Sequence, residues 1–169
     1  NPKGLDIADV LHRYRDKHEP LREIKLGESI SNEELLQLDC TVLVPAALSE
    51  QITHANASKL RCRILAEGAN GPTTLEADRI LTDKGVFIIP DILANSGGVI
   101  VSYFEWVQDV QRFFWKAKDI QDRLQDIITS AFHRTLQFSV EKRTTMRMAA
   151  LMSGIVKVVQ AHLQRALYP

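Results

Sequence analysis

The sequence predicts an α/β fold: three parallel strands joined by helical crossovers, followed by a run of C-terminal helices. Two observations carry this. Three short apolar runs, rich in β-branched residues and centred near residues 43, 64 and 87, recur about every 22 residues, the spacing of parallel strands linked by crossovers. From residue 102 onward the apolar residues fall at helical spacing to the end of the chain.

Each element has its own local signal. Between Asp6 and Lys17, apolar Ile7, Val10, Leu11 and Tyr14 follow the i, i+3, i+4, i+7 pattern of an amphipathic helix. His18 to Ile30 is polar, contains Pro20 and Gly27, and reads as an exposed connection. Ser31 and Glu34 form a capping box that opens a short helix through Leu38. Thr41 to Val44 is the first strand, stopped by Pro45. Leu48 to Ala57 reads as a helix, and Arg63 to Ala66 as the second strand. Thr73 with Glu76 makes a second capping box, for a helix ending at Lys84 with Gly85 as its left-handed C′ residue. Val86 to Ile89 is the third strand.

Beyond it, Tyr103, Trp106, Val107, Val110, Phe113 and Phe114 make one helical apolar face. Ile120, Leu124, Ile127, Ile128, Ala131 and Leu136 make a second, and Met148, Leu151, Met152, Ile155, Val159 and Leu163 a third. All three are expected in the core. Gln111, Lys118 and Asp122 read as a solvated face.

Parallel strands direct their following turns to one edge of the sheet, where ligands of open α/β folds sit. Pro45-Ala46-Ala47, Gly68-Ala69-Asn70 and Asn95-Ser96-Gly97-Gly98 are therefore expected to line one cleft. Small residues and adjacent glycines would let a ligand approach the backbone. The competing reading of the last stretch is a tight turn in which glycines relieve strain and Asn95 caps a helix. From spacing alone the two stand level.

Composition narrows the function classes. The 169 residues are one domain's worth, and 21 basic residues balance 21 acidic ones, so no net field recruits nucleic acid or anionic lipid. No apolar run approaches the length of a membrane span. The expected location is cytoplasmic, with the mitochondrial matrix as the alternative. Cys40 and Cys62 have no CxxC spacing and read as small buried hydrophobes, while the five histidines are scattered, so no metal site is expected. No Gly-x-Gly-x-x-Gly phosphate loop is present. An α/β piece with a ligand edge but no phosphate loop reads as part of a Rossmann-like dinucleotide-binding domain, its second half. A chain opening on Asn1 without Met suggests a fragment of something longer.

Three strings share a further property. Leu43-Val44-Pro45-Ala46-Ala47-Leu48, Ala66-Glu67-Gly68-Ala69-Asn70-Gly71-Pro72-Thr73-Thr74 and Asn95-Ser96-Gly97-Gly98-Val99-Ile100-Val101-Ser102-Tyr103-Phe104-Glu105-Trp106 resemble, in this order, the signature of the glutamate dehydrogenase branch of the amino-acid dehydrogenases. Asn1-Pro2-Lys3-Gly4-Leu5-Asp6 resembles the segment just after that family's second strand. The resemblance implies oxidative deamination of glutamate to 2-oxoglutarate and ammonia, with NAD or NADP as cofactor. It implies that Ala46, Ala47, Asn70 and Asn95 approach the cofactor's ribose and nicotinamide, and that Val99 and Ser102 approach the substrate side chain. The leucine and phenylalanine branches lack the Val-x-x-Ser pattern, which favours glutamate.

It further implies that residues 1–110 are the second part of the dinucleotide-binding domain and that 111–169 are a helical segment packing on it and toward a missing N-terminal substrate domain. Homo-oligomers form through that domain. The family's catalytic lysines and aspartate belong to it as well, so this chain is expected to hold no catalytic residue and to be inactive alone; Asp91 and Glu105 read as turn and helix-start residues. Where the family has Arg-x-Ala-Ala-Tyr, this sequence has Arg147-Met148-Ala149-Ala150-Leu151. That departure keeps open a non-catalytic regulatory or binding paralogue, and a free-standing interaction module is a third possibility. The residue that selects NAD or NADP follows the second strand and lies upstream of Asn1.

Overall fold

The computed structural model describes residues 3–165, so Asn1 and Pro2 of the first resembling segment lie outside the described residues. The chain forms two compact units, residues 1–38 and 39–169.

The first unit is helical. Helix α1 (Ile7–Leu11) starts at Asp6, whose carboxylate accepts from the Asp9 N–H at 3.1 Å. The predicted helix does reach Lys17, but its second half, His12–Asp16, is a wider π turn in which Lys17 N–H bonds the His12 carbonyl. A 3₁₀ turn, Leu21–Glu23, interrupts the connection. Helix α2 (Asn32–Leu36) has the predicted capping box, Ser31 Oγ accepting from Glu34 N–H while the Glu34 carboxylate accepts from Ser31 N–H, and it ends two residues earlier than expected.

The second unit is the predicted α/β body. Strands β1 (Val42–Leu43), β2 (Ile64–Ala66) and β3 (Phe87–Ile89) form a parallel sheet in the order β1-β2-β3, with Leu65 facing Leu43 on one side and Ile88 on the other. Leu65 on the central strand is fully buried, with Ile52, Leu60, Ala77 and Leu81 around it in one cluster. Cys62 is buried in that cluster and Cys40 packs against it, both thiols free, as expected of small hydrophobes. β1 is an edge strand, and its Val42 is 48% exposed.

Residues 48–57 do not form the predicted helix. Ile52 instead pairs in parallel with Thr73: its N–H bonds the Pro72 carbonyl and its own carbonyl accepts from Thr74 N–H. Side chains compete for the backbone in the same stretch, with Asn56 Oδ1 accepting from Thr53 N–H and Asn56 Nδ2 donating to the Gln51 carbonyl. The first crossover therefore carries only a 3₁₀ turn, Ala57–Lys59.

Helix α3 (Leu75–Asp83) makes the second crossover. Its N-cap is Thr74, not Thr73; Thr74 Oγ1 accepts from Ala77 N–H, while Thr73 Oγ1 is buried without a partner. At its other end Gly85 takes φ +78°, with Gly85 N–H bonding Thr82 O and Val86 N–H bonding Leu81 O, the paired bonds of a Schellman motif.

After β3 the chain forms α4 (Asp91–Ala94), α5 (Gly97–Gln111), α6 (Ala117–Lys142) and α7 (Met146–Gln164). The apolar faces predicted for α5 and α7 are not buried in this chain. Tyr103, Trp106, Val110, Phe113 and Phe114 are exposed, as are Met148, Leu151, Ile155 and Leu163. α5 instead buries Phe104 and Gln108, the latter holding the α5–α6 turn by accepting from Trp115 N–H at 2.7 Å. The α6 face fares better: Ile120, Leu124, Ile128, Ala131 and Leu136 are half-buried. Lys118 and Asp122 pair at 3.0 Å on a solvated surface, as expected.

Candidate functional site

The three turns that follow the strands meet at the carboxyl end of the sheet, around an open cleft of about 800 Å³. Ala47, Leu48 and Ser49 line it from the turn after β1, Gly68 to Asn70 from the turn after β2, and Ile92, Asn95, Ser96 and Val99 from the segment after β3.

The turns are held close by small residues. A Cβ on Gly68 would lie 3.0 Å from Ala46 Cβ, 3.3 Å from Ala46 Cα and 3.4 Å from Val44 Cγ1. Ala46 thus packs beneath the second turn instead of lining the cleft, whereas Ala47 faces it. The Ala69 N–H bonds the Pro45 carbonyl at 2.9 Å and stitches the same two turns.

Asn70 and Asn95, 25 residues apart, are hydrogen-bonded to each other: Asn95 Nδ2 donates to Asn70 Oδ1 at 2.6 Å. Neither follows its capping alternative. Thr74 caps α3, and Asn95 is the C-cap residue just past the end of α4, with its side chain turned across to the neighbouring turn. The pair's remaining atoms, Asn70 Nδ2 and Asn95 Oδ1, are one donor and one acceptor, a set suited to hydroxyls or a carboxamide.

Gly97 and Gly98 belong to the first turn of α5 instead of forming a tight turn, and neither has positive φ. A Cβ on Gly97 would touch Ile128 at 3.7 Å, while one on Gly98 would meet nothing within 4 Å. Val99 lines the cleft and is 70% exposed. Ser102 lies outside the cleft lining, one turn further along α5 and exposed.

The sequence reading missed the group that braces this edge. Glu67, at the end of β2, is fully buried, and Arg147 of α7 donates to its Oε1 at 2.8 Å. The same guanidinium reaches Asp78 of α3 at 2.8 Å and Asp91 of α4 at 3.5 Å. Burial alone would lower the Arg147 pKa, but the hydrogen bond and charge of Glu67, then those of Asp78, outweigh it and hold the guanidinium firmly protonated. Asp91, read as a turn residue, accepts from the Gly71 N–H at 2.8 Å. One signal for this cluster was present: an acid directly after the apolar Ile64-Leu65-Ala66 run needs a cation when buried. Its partner, 80 positions away, had no local signature. Leu48, Ser49 and Ile92 of the lining were likewise not singled out, whereas Ser96 lines the cleft as expected.

Among the described residues no group of His, Cys, Asp and Glu side chains is arranged to hold a metal ion. No helix among the described residues is long and apolar enough to cross a membrane.

Residues 1–166 match the model of the Glutamate/Leucine/Phenylalanine/Valine dehydrogenase family. Over its whole length the chain is 44% identical to a glutamate dehydrogenase of Thermotoga maritima, of which it covers 40%. Over 161 residues, 95% of the chain, it is 45% identical to an NAD-specific glutamate dehydrogenase of Staphylococcus aureus, covering 38% of that protein. A solved hetero-hexameric glutamate dehydrogenase from Thermus thermophilus superposes on all of this chain with a TM-score of 0.88 at 30% identity, the chain covering 39% of it. The chain thus spans about 40% of the length of the curated relatives it matches. With the family model matched from end to end of the described residues, on a parallel sheet whose turns converge on one cleft, this chain belongs to the Glu/Leu/Phe/Val dehydrogenase family.

Proposed function

We propose that this chain is the C-terminal part of an NAD- or NADP-dependent glutamate dehydrogenase, and that its cleft holds the nicotinamide end of the cofactor beside the substrate. The observation that carries this is the Asn70–Asn95 hydrogen bond, which joins two strand turns at the cleft and leaves one amide donor and one acceptor for a ligand. The residues present fit a dinucleotide's ribose and carboxamide: small side chains at Ala47, Gly68 and Ala69 form the floor, and neutral amides rather than charges supply the polar atoms. Similarity to NAD-specific relatives supports the cofactor class.

A nicotinamide held here would supply the hydride acceptor for the substrate α-carbon, in the overall conversion of glutamate, water and oxidised dinucleotide to 2-oxoglutarate, ammonium, reduced dinucleotide and a proton. Asn70 and Asn95 orient the ribose so that the ring faces the substrate. Val99 supplies an apolar wall that excludes water, and the Ser102 hydroxyl donates to the substrate γ-carboxylate. Ala46 acts indirectly, by seating the Gly68 turn. Proton transfer belongs to residues outside this chain, and half a site cannot hold the reactants in reacting geometry, so the chain alone is inactive. In this reading residues 1–110 complete the cofactor domain, residues 111–169 form the helical segment beyond it, and the parent protein assembles with further copies of itself.

In the full-length parent protein, Asn95→Ala is expected to weaken reduced-dinucleotide binding by about tenfold, the loss of a well-placed hydrogen bond and its orienting effect. Ser102→Ala should raise the KM for glutamate by about tenfold or more, as expected for a hydrogen bond to a charged group. If both variants turn over glutamate like the wild type, the site assignment is wrong. A non-catalytic paralogue would keep dinucleotide binding and show no turnover; Leu151, which stands where the family has Tyr, is 42% exposed on α7 and available to be changed back.

A further inference from the structure

We infer that Arg147 is a positioning residue for the cleft, its guanidinium setting the turns that carry Asn70 and Asn95 from a helix that contributes nothing to the cleft lining. The inference rests on the cleft being the nicotinamide-ribose site. Arg147 stands at the start of α7, 17% exposed, and bonds three carboxylates from three different elements: Glu67 after β2, Asp78 in α3 and Asp91 in α4.

Two of these carboxylates grip the cleft backbone with their other oxygens. Glu67 Oε2 accepts from the Asp91 N–H at 2.9 Å, which sets the first residue of α4; the C-cap of the same helix is Asn95, whose N–H bonds the Asp91 carbonyl at 3.0 Å. Asp91 Oδ2 accepts from the N–H of Gly71, the residue directly after Asn70. Each asparagine is thus two hydrogen bonds and a short backbone link away from one guanidinium. Asn95 Nδ2 and Asn70 Oδ1 are 2.6 Å apart, so parting the two turns by about 1 Å breaks their bond.

The chemistry requires a planar cation. A guanidinium offers donors in a fixed fork and can serve three acceptors at once, whereas an ammonium is a single point of charge on a flexible stem. Without the guanidinium, three carboxylates face one another around a fully buried Glu67, and their mutual repulsion opens the turns they hold.

The test uses the full-length protein and three variants, Arg147→Lys, Glu67→Gln and Asn95→Ala, titrated with NADH and with NADPH by nicotinamide fluorescence. The KM for glutamate is measured at saturating dinucleotide. Arg147→Lys is expected to raise the dinucleotide Kd by about fivefold or more, the equivalent of one misplaced hydrogen bond, with the glutamate KM changed by less than about twofold. A fall in melting temperature with an unchanged Kd overturns the inference, because a purely structural ion pair would behave that way. If Arg147→Lys does not fold, Glu67→Gln decides by the same criterion. Asn95→Ala separates the two levels: weakened binding there with normal binding in the Arg147 and Glu67 variants refutes the positioning role alone. Normal binding in all three removes the cleft assignment and this inference with it.

Discussion

Replacing Gly68 by Ala tests how closely the first two cleft turns must approach. Gly68 does not have positive φ, so alanine can adopt its backbone and the only obstacle is space. The added Cβ would sit 3.0 Å from Ala46 Cβ and 3.3 Å from Ala46 Cα, against a favourable carbon–carbon separation of about 3.5–4.0 Å. Neither atom can rotate away, since alanine has no side-chain torsion to relieve the clash and Cα is backbone; one turn must move. Overpacking of this kind costs about 1–3 kcal/mol, offset by about 0.4–1 kcal/mol from the less flexible unfolded chain. The net expectation is a loss of about 1–2 kcal/mol. Because Asn70 lies two residues further on, dinucleotide affinity should fall with it. The assay is a double-mutant cycle in the full-length protein, with melting temperature and fluorescence titration of NADH measured for Gly68→Ala, Ala46→Gly and the pair. Removing the Ala46 methyl opens the space the new methyl needs, so the pair should recover most of both losses. A neutral Gly68→Ala, or a pair no better than the sum of its parts, would refute the close-approach reasoning.

Two further outcomes follow from local chemistry. Thr74→Ala removes the N-cap of α3 and should cost about 1 kcal/mol of stability, whereas Thr73→Val removes a buried hydroxyl without a partner and should be neutral or stabilising; melting temperatures in the reverse order would return the cap to Thr73. Burial, and then the neighbouring Cys40, push the Cys62 thiol above its ordinary range. As pH rises the unfolded thiol ionises first, so this contribution to stability is fully present below the unfolded value of about 8.5 and is lost as pH climbs through the folded one. Above about pH 9 the wild type should therefore lose stability more steeply than Cys62→Val; parallel pH profiles of the two melting temperatures would contradict it.

Elements whose bonds close within a few residues were readable from the residue string. The Ser31–Glu34 box and Gly85 at the end of α3 depend on groups three to five positions apart, and the strands near 43, 64 and 87 show as local apolar runs even though their ladder joins residues 22 to 23 positions apart. So was the meeting of three turns at one edge, because parallel strands leave their following turns no other place. Reading failed where a local preference met a distant competitor. Residues 48–57 have helical spacing, but the Ile52 backbone pairs with residues 72–74, and a capping threonine was misplaced by one position in the same bridge. The apolar stripes of α5 and α7 obey the helical period, yet periodicity tells only that a face is apolar, not what covers it.

The cleft shows the same division. The residue types at 47, 70, 95 and 99 were legible as candidates, and the fold brings all four to its lining. That Asn70 and Asn95 bond each other, that Ala46 works from beneath Gly68, and that Arg147 closes a ring of three carboxylates depend on contacts between residues 22 to 80 positions apart. Hydrophobic period and cap chemistry are short-ranged and therefore written in neighbouring residues. A buried charge takes whichever partner the packed chain brings within hydrogen-bond reach, and for Glu67 that partner is known only once α7 has docked against β3 and α4.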